Sequence, residues 1–142
     1  MTFMMQFHID GEPVPKGRPK FTSRAGFMRT YTPRKTVDYE LAVKAAAQAA
    51  MGPTDLLETP VGVYLYMRLP IPKSHSKKRR EACLSGQEKP IKKPDIDNLA
   101  KSILDGMNGV VWKDDSQIVS LHVTKVYAGV SGVDVLIKEE LE

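Results

Sequence analysis

Cysteine is almost missing from this chain of 142 residues. The lone thiol, Cys83, excludes an intramolecular disulfide and a cysteine-based zinc site. It reads as a small packed side chain or an inert surface thiol. Histidine is scarce as well. His8, His75 and His122 have no partner at metal-ligand spacing, so no chemistry is assigned to them. No apolar run approaches the length of a membrane span. Residues 1–9 are apolar but short and lack a basic stretch, which excludes a signal peptide. The expectation is a cytoplasmic protein with no membrane partner. No internal repeat is visible. Hydrophobic residues at 42% and charged residues at 27% are ordinary globular usage. They suit a single domain over residues 1–142.

The net charge of +4 is small, but its distribution is uneven. Residues 16–35 hold seven cations and no acid, and residues 73–93 hold eight cations against Glu81 and Glu88. Those two stretches carry +13, which leaves −9 on the rest of the chain. They fall in basic loops at 12–33 and 71–94. Isolated basic runs are most often solvated. Two of them beside a strongly acidic remainder point to a polyanion, and DNA is the favoured partner. The candidate phosphate contacts are Lys16, Arg18, Lys20, Arg24, Arg29, Lys73, Lys77, Lys78, Arg79, Arg80, Lys92 and Lys93.

Alternation predicts a strand over Met5, Phe7 and Ile9 and a second, clearer one over Val61, Val63, Leu65, Met67 and Leu69. The segment 12–33, with four prolines, reads as a long loop or irregular hairpin. Thr32-Pro33 is expected to open a helix with Thr32 as its cap. That helix carries Val37, Leu41, Ala45 and Gln48 along one side, with Val43, Ala46 and Ala50 beside them, and stops at Gly52-Pro53. Residues 76–84 suggest a short helix. Residues 96–107 form a better one, burying Leu99, Ile103, Leu104 and Met107. Val119, Leu121 and Val123 alternate as a strand, which is expected to pair as a hairpin with 133–138. Trp112 reads as core. Tyr64 and Tyr66 are expected to pack under a helix, with a dimer contact as the alternative. The order predicts an α/β (α+β) fold, one mixed sheet with helices packed on it.

The chemistry concentrates in Lys92-Lys-Pro-Asp95-Ile-Asp97-Asn98-Leu-Ala-Lys101 and the following Asp105. Asp97, Lys101 and Asp105 share one side of the helix, opposite Leu99, Ile103 and Met107. A second acidic pair, Asp114-Asp115, follows Trp112. Hard divalent cations such as Mg2+ take carboxylate oxygens. Asp95, Asp97 and Asp115 can supply them if the fold gathers them, with Lys101 left to meet a scissile phosphate. The plainer reading makes Asp95 or Asp97 a helix cap and Lys101 a surface partner of Asp97 or Asp105. Composition leaves both open.

Asp-x-Asp-Asn-x-x-Lys followed by Trp-x-Asp-Asp-x-Gln, at this separation, resembles the RusA family of Holliday-junction resolvases. The resemblance is strongest over residues 92–119, and the flanking layout of elements agrees. It implies a small homodimer that binds branched DNA, four-way junctions in particular, and nicks two opposed strands. The implied cofactor is Mg2+, for which Mn2+ substitutes. Carried over by position, Asp95, Asp97 and Asp115 are the metal-binding catalytic aspartates and Lys101 is the catalytic lysine. Asp114 is the alternative to Asp115, and Asp105 orients Lys101. The family also implies a phage or prophage protein acting in a bacterial host. Two other functions compete: branched-DNA binding with structural aspartates, and phosphate hydrolysis on a small substrate through an Asp-x-Asp nucleophile. The second fits poorly, because that motif belongs early in a larger doubly wound domain.

Overall fold

A computed structural model describes residues 2–17, 20–24 and 27–142; for 20–24 and 27–30 the description covers the backbone alone. Its centre is the strand with the strongest alternation, β4 (Val61–Pro70). Val61, Val63, Leu65, Met67 and Leu69 are all buried. On one side β4 pairs antiparallel with β6 (Gly132–Glu139), and β6 pairs antiparallel with β1 (Met4–Asp10). On the other it pairs parallel with β5 (Ile118–Ala128). The sheet order is β1-β6-β4-β5. Parallel neighbours need a crossover. Here it runs through α2 (Lys77–Ser85) and α3 (Ile96–Met107).

The expected hairpin of the last two strands is not formed. Both strands exist, but β4 lies between them. Ala128 is level with Pro70 and Gly132 with Arg68, so residues 129–131 pass the end of β4. Alternation specifies strands and faces, not neighbours. β4, buried along its core face, takes an interior place beside β6, and Pro70, with no N–H to give, ends its pairing.

α1 (Arg34–Met51) and α3 cover one face of the sheet. Tyr39, Val43, Ala47 and Met51 join Leu99, Ile103 and Met107 in one core with the inward residues of β4 and β6. Leu104 packs against that core while only partly buried. Two details of α1 differ from expectation. Its N-cap is Pro33 (ψ 140°), whose carbonyl accepts from the Val37 N–H at 3.1 Å, and no side chain caps it. Its buried face runs through Thr36, Tyr39, Val43, Ala47 and Met51, while Val37 and Leu41 are exposed. An alanine-rich helix offers several weakly apolar arcs, and the larger Tyr39 and Met51 decide between them.

Among the described residues no pair of helices covers the other face, and only the end of α2 comes near it, beside Tyr66. Tyr66 is exposed and Tyr64 stacks on His122 with ring centroids 4.5 Å apart. Among the described residues these tyrosines therefore do not lie beneath a helix. The first basic segment is a hairpin of β2 (Lys20–Arg24) and β3 (Phe27–Tyr31), in line with the irregular hairpin expected there. Among the described residues no helix is long and apolar enough to cross a membrane.

Candidate nuclease site

α3 presents the first acidic pair. Asp95 is its N-cap residue, with extended backbone and a carbonyl that accepts from the Leu99 N–H at 3.1 Å. Its carboxylate makes no cap hydrogen bond. Asp97 follows in the first turn. Both are exposed, and among the described residues neither carboxylate has an ion-pair or hydrogen-bond partner. The capping account of this pair thus holds for the backbone of Asp95 and not for its side chain.

The approach to Asp95 is held from two sides. Lys125 of β5 donates to the carbonyls of Lys92 (3.1 Å) and Pro94 (3.0 Å), on either side of a cis Lys93–Pro94 bond. Opposite, the base of the basic hairpin is clamped to the helices. Ser102 Oγ donates to the Val14 carbonyl at 2.6 Å, and the Lys16 N–H to the Asn98 carbonyl at 2.9 Å. Thr36 Oγ1 donates to the Pro15 carbonyl and accepts from the Gly17 N–H. Between these walls lies a cleft of about 510 Å³, lined by Val14, Lys16, Lys35, Lys93, Asp95 and Asn98 among others.

Lys16 does not stand free in it. Its ammonium lies 2.9 Å from both Glu40 of α1 and Asp105 of α3. Burial pulls its pKa down, but the hydrogen bonds and charges of Asp105 and Glu40 together outweigh that and raise it. Asp105 also meets Lys101 at 3.3 Å. Lys101 keeps its head in solvent.

The second acidic pair divides its labour. Trp112 is fully buried, and its indole N–H donates to Asp115 Oδ1 at 2.7 Å. Asp114 caps the single 3₁₀ turn Asp115–Gln117 by accepting from the Ser116 N–H, while the Gln117 side chain accepts from the Asp114 N–H. Ser116, through its hydroxyl and then its N–H, holds the Asp114 carboxyl below the usual range. Gln117 also donates to the carbonyls of Leu57 and Thr59. The Trp-x-Asp-Asp-x-Gln spacing is a rigid corner built to fix one carboxylate.

Asp95, Asp97 and Asp115 do not all come within 4.8 Å of one another; among the described residues, the one trio of possible ligands that does is His75, Cys83 and Glu88. As chemistry, however, the aspartates fit a hard divalent cation. They offer oxygen donors only, two carboxylates without partners and a third with one oxygen held. Of the basic residues, Lys73, Lys77, Lys78, Arg80, Lys92 and Lys93 are exposed. Arg79 forks onto Glu88 at 3.1 and 2.8 Å. Arg18 lies outside the described residues, as do the side chains of Lys20, Arg24 and Arg29. Sequence reading missed Lys125, Glu40 and the brace made by Lys16. The signal for Lys125 was there: a lysine at the same parity as Leu121 and Val123 must find oxygen atoms.

A protein-family model described as Endodeoxyribonuclease RusA matches residues 10–138. The chain is also 36% identical over 137 residues to the uncharacterized protein YqaN of Bacillus subtilis (strain 168), covering 95% of this chain and 96% of that one. Such a match supports a nuclease acting on DNA and fits the α+β architecture. From residue 10 to residue 138 the pattern is one family's, and the chain belongs to the RusA endodeoxyribonucleases.

Proposed function

We propose that this chain is a divalent-metal-dependent endonuclease that resolves four-way DNA junctions by paired nicks, working as a homodimer. The observation that carries the reading is Asp95. It occupies a capping position, yet its carboxylate caps nothing and borders a cleft rimmed by Lys16, Lys35 and Lys93. A residue selected only to cap would spend its side chain on the helix.

Asp95, Asp97 and Asp115 would hold Mg2+, or Mn2+ in its place. Bound there, such an ion lowers the pKa of a water and draws charge from a phosphoryl oxygen. Trp112 keeps one oxygen of Asp115 fixed, and Lys125 keeps the backbone before Asp95 in place. Three carboxylates repel one another, so their close approach awaits positive charge. Lys101 is the group that stabilises negative charge on the phosphate. Asp105 is a positioning residue for it, steadied by Lys16. The exposed lysines of residues 73–93 and the basic hairpin hold phosphates without reading bases. A two-fold dimer matches two opposed cuts on a two-fold junction. The family supports a DNA nuclease, a class generally dependent on divalent metal; the junction and the pairing of nicks are our reading.

The test is a labelled mobile four-way junction incubated with and without Mg2+. Paired nicks that need the metal, and that vanish in Asp97→Asn while junction binding persists, are the expected result. Binding without metal-dependent nicking overturns the enzyme reading, and nicking of linear duplex with equal efficiency overturns the junction specificity.

A further inference from the structure

α2 carries four consecutive cations, Lys77 to Arg80, and has little to hold it. It is nine residues long, and Cys83 is its one buried residue. A helix of that length is marginal by itself. Ser76 caps its start by accepting from the Arg79 N–H, which orders the first turn but does not attach the helix to the body. What gathers its two ends is a cluster of three side chains. His75 precedes the helix, Cys83 sits in its last two turns, and Glu88 comes from the loop after it.

Cys83 Sγ is 3.7 Å from His75 Nδ1, and His75 Nδ1 is 3.8 Å from Glu88 Oε2. One donor atom from each of the three lies within 4.8 Å of the others. The Cys83 residue is 2% exposed and the His75 side chain 5%. The His75–Glu88 separation is too long for a hydrogen bond. Both distances are close to the edges of a tetrahedron around zinc, about 3.4–3.6 Å for its usual bonds to sulfur, nitrogen and oxygen. Outer partners are in place as well. Arg79 grips both oxygens of Glu88, as groups beyond the ligands of a metal commonly do. The Tyr127 ring stands edge-on to His75 at 6.2 Å. A cavity of about 210 Å³ bordered by Cys83, Glu88, Tyr66 and Tyr127 adjoins two of the three side chains.

We propose that His75, Cys83 and Glu88 form a zinc site that ties the basic helix α2 to the segments before and after it. Zinc takes the place of the thiol proton, which goes to solvent, and the thiolate, the imidazole and the carboxylate each give it a lone pair. A thiolate and an imidazole select zinc over magnesium, whereas the all-oxygen set of Asp95, Asp97 and Asp115 does the reverse. The two sites are therefore distinct in place and in chemistry. One cysteine suffices because two other residue types complete the set.

The experiment is zinc titration of the metal-stripped full chain against a chromophoric chelator, with metal content measured after dialysis. One zinc per chain is expected in the wild type and in Asp97→Asn, and none in Cys83→Ser or His75→Ala. Zinc at roughly 100 times its Kd should raise Tm by several degrees in the wild type and leave Cys83→Ser unmoved. Circular dichroism establishes that each variant is folded, and Glu88→Gln, weakened in zinc affinity but not in fold, provides a third arm. Zinc well below one per chain in the wild type overturns the site. So does zinc that survives Cys83→Ser and is lost in Asp97→Asn, which would assign it to the nuclease carboxylates.

Discussion

Asp114 and Asp115 are neighbours with one formula and two occupations. Asp114 is spent on the turn, with its oxygen on the Ser116 N–H. Asp115 accepts one hydrogen bond, from a tryptophan that the core will not release. This favours Asp115 as the ligand in the proposed site. It also makes Trp112→Phe informative, since phenylalanine keeps an aromatic ring in the core while removing the N–H and part of the buried volume. A hydrogen bond to a charged acceptor contributes about 1.5–3 kcal/mol. With the volume lost from the core added, urea unfolding should show a loss at or above the upper end of that range. Metal-dependent cleavage should fall by about tenfold or more, as it does when the outer support of a ligand is removed. Unchanged cleavage with reduced stability would confine Trp112 to the core. None of this is visible in the sequence, where two adjacent carboxylates look alike. The spacing of Asp114 and Gln117 does announce a cap, but only once the residues between them are known to turn.

At the scale of elements, strong patterns were legible and weak ones were not. Residues 96–107 were read from the stripe Leu99, Ile103 and Met107, and α3 spans Ile96–Met107. The buried face of α1 was not legible, because alanine on every side gives no stripe. The order of β4, β5 and β6 was not legible either, since period two does not name a neighbour. What fixes α1 against α3 is Gly106. A Cβ there would lie 2.7 Å from Val43 and 2.9 Å from the Glu40 carbonyl. The second of these is backbone and cannot turn aside. Alanine gains roughly 1 kcal/mol in helix propensity over glycine. Overpacking costs about 1–3 kcal/mol. The balance for Gly106→Ala is a net loss, and it pushes apart the helices that carry Glu40 and Asp105, between which Lys16 sits. A lowered urea midpoint is expected, and one at or above the wild-type value would mean that the helices do not approach so closely.

For the whole molecule, the division of +13 from −9 is a division of places. The first basic segment is a hairpin whose root is tied to α1 and α3 by Ser102, Thr36 and Lys16, and the second centres on α2. The acidic residues of the proposed site lie on α3 and the Trp112 corner. This arrangement was half legible. The charge runs stood out in the sequence, but Lys16 and Arg79 turned out to hold carboxylates, and only the fold could assign them. Phosphate neutralisation by the remaining cations releases counterions, so log K falls with log salt at a slope of about −0.9 per contact. Lys77, Lys78 and Arg80 stay exposed on α2. If each meets a phosphate, binding of a four-way junction by the triple glutamine variant should show a slope shallower by about 2–3. Fluorescence anisotropy between 50 and 200 mM salt, in the absence of divalent metal, measures it. The loss should be the same whatever the base sequence of the arms, because these contacts position and do not read. An unaltered slope would remove α2 from the DNA-binding surface and leave the hairpin, with Lys73, Lys92 and Lys93, to hold the junction.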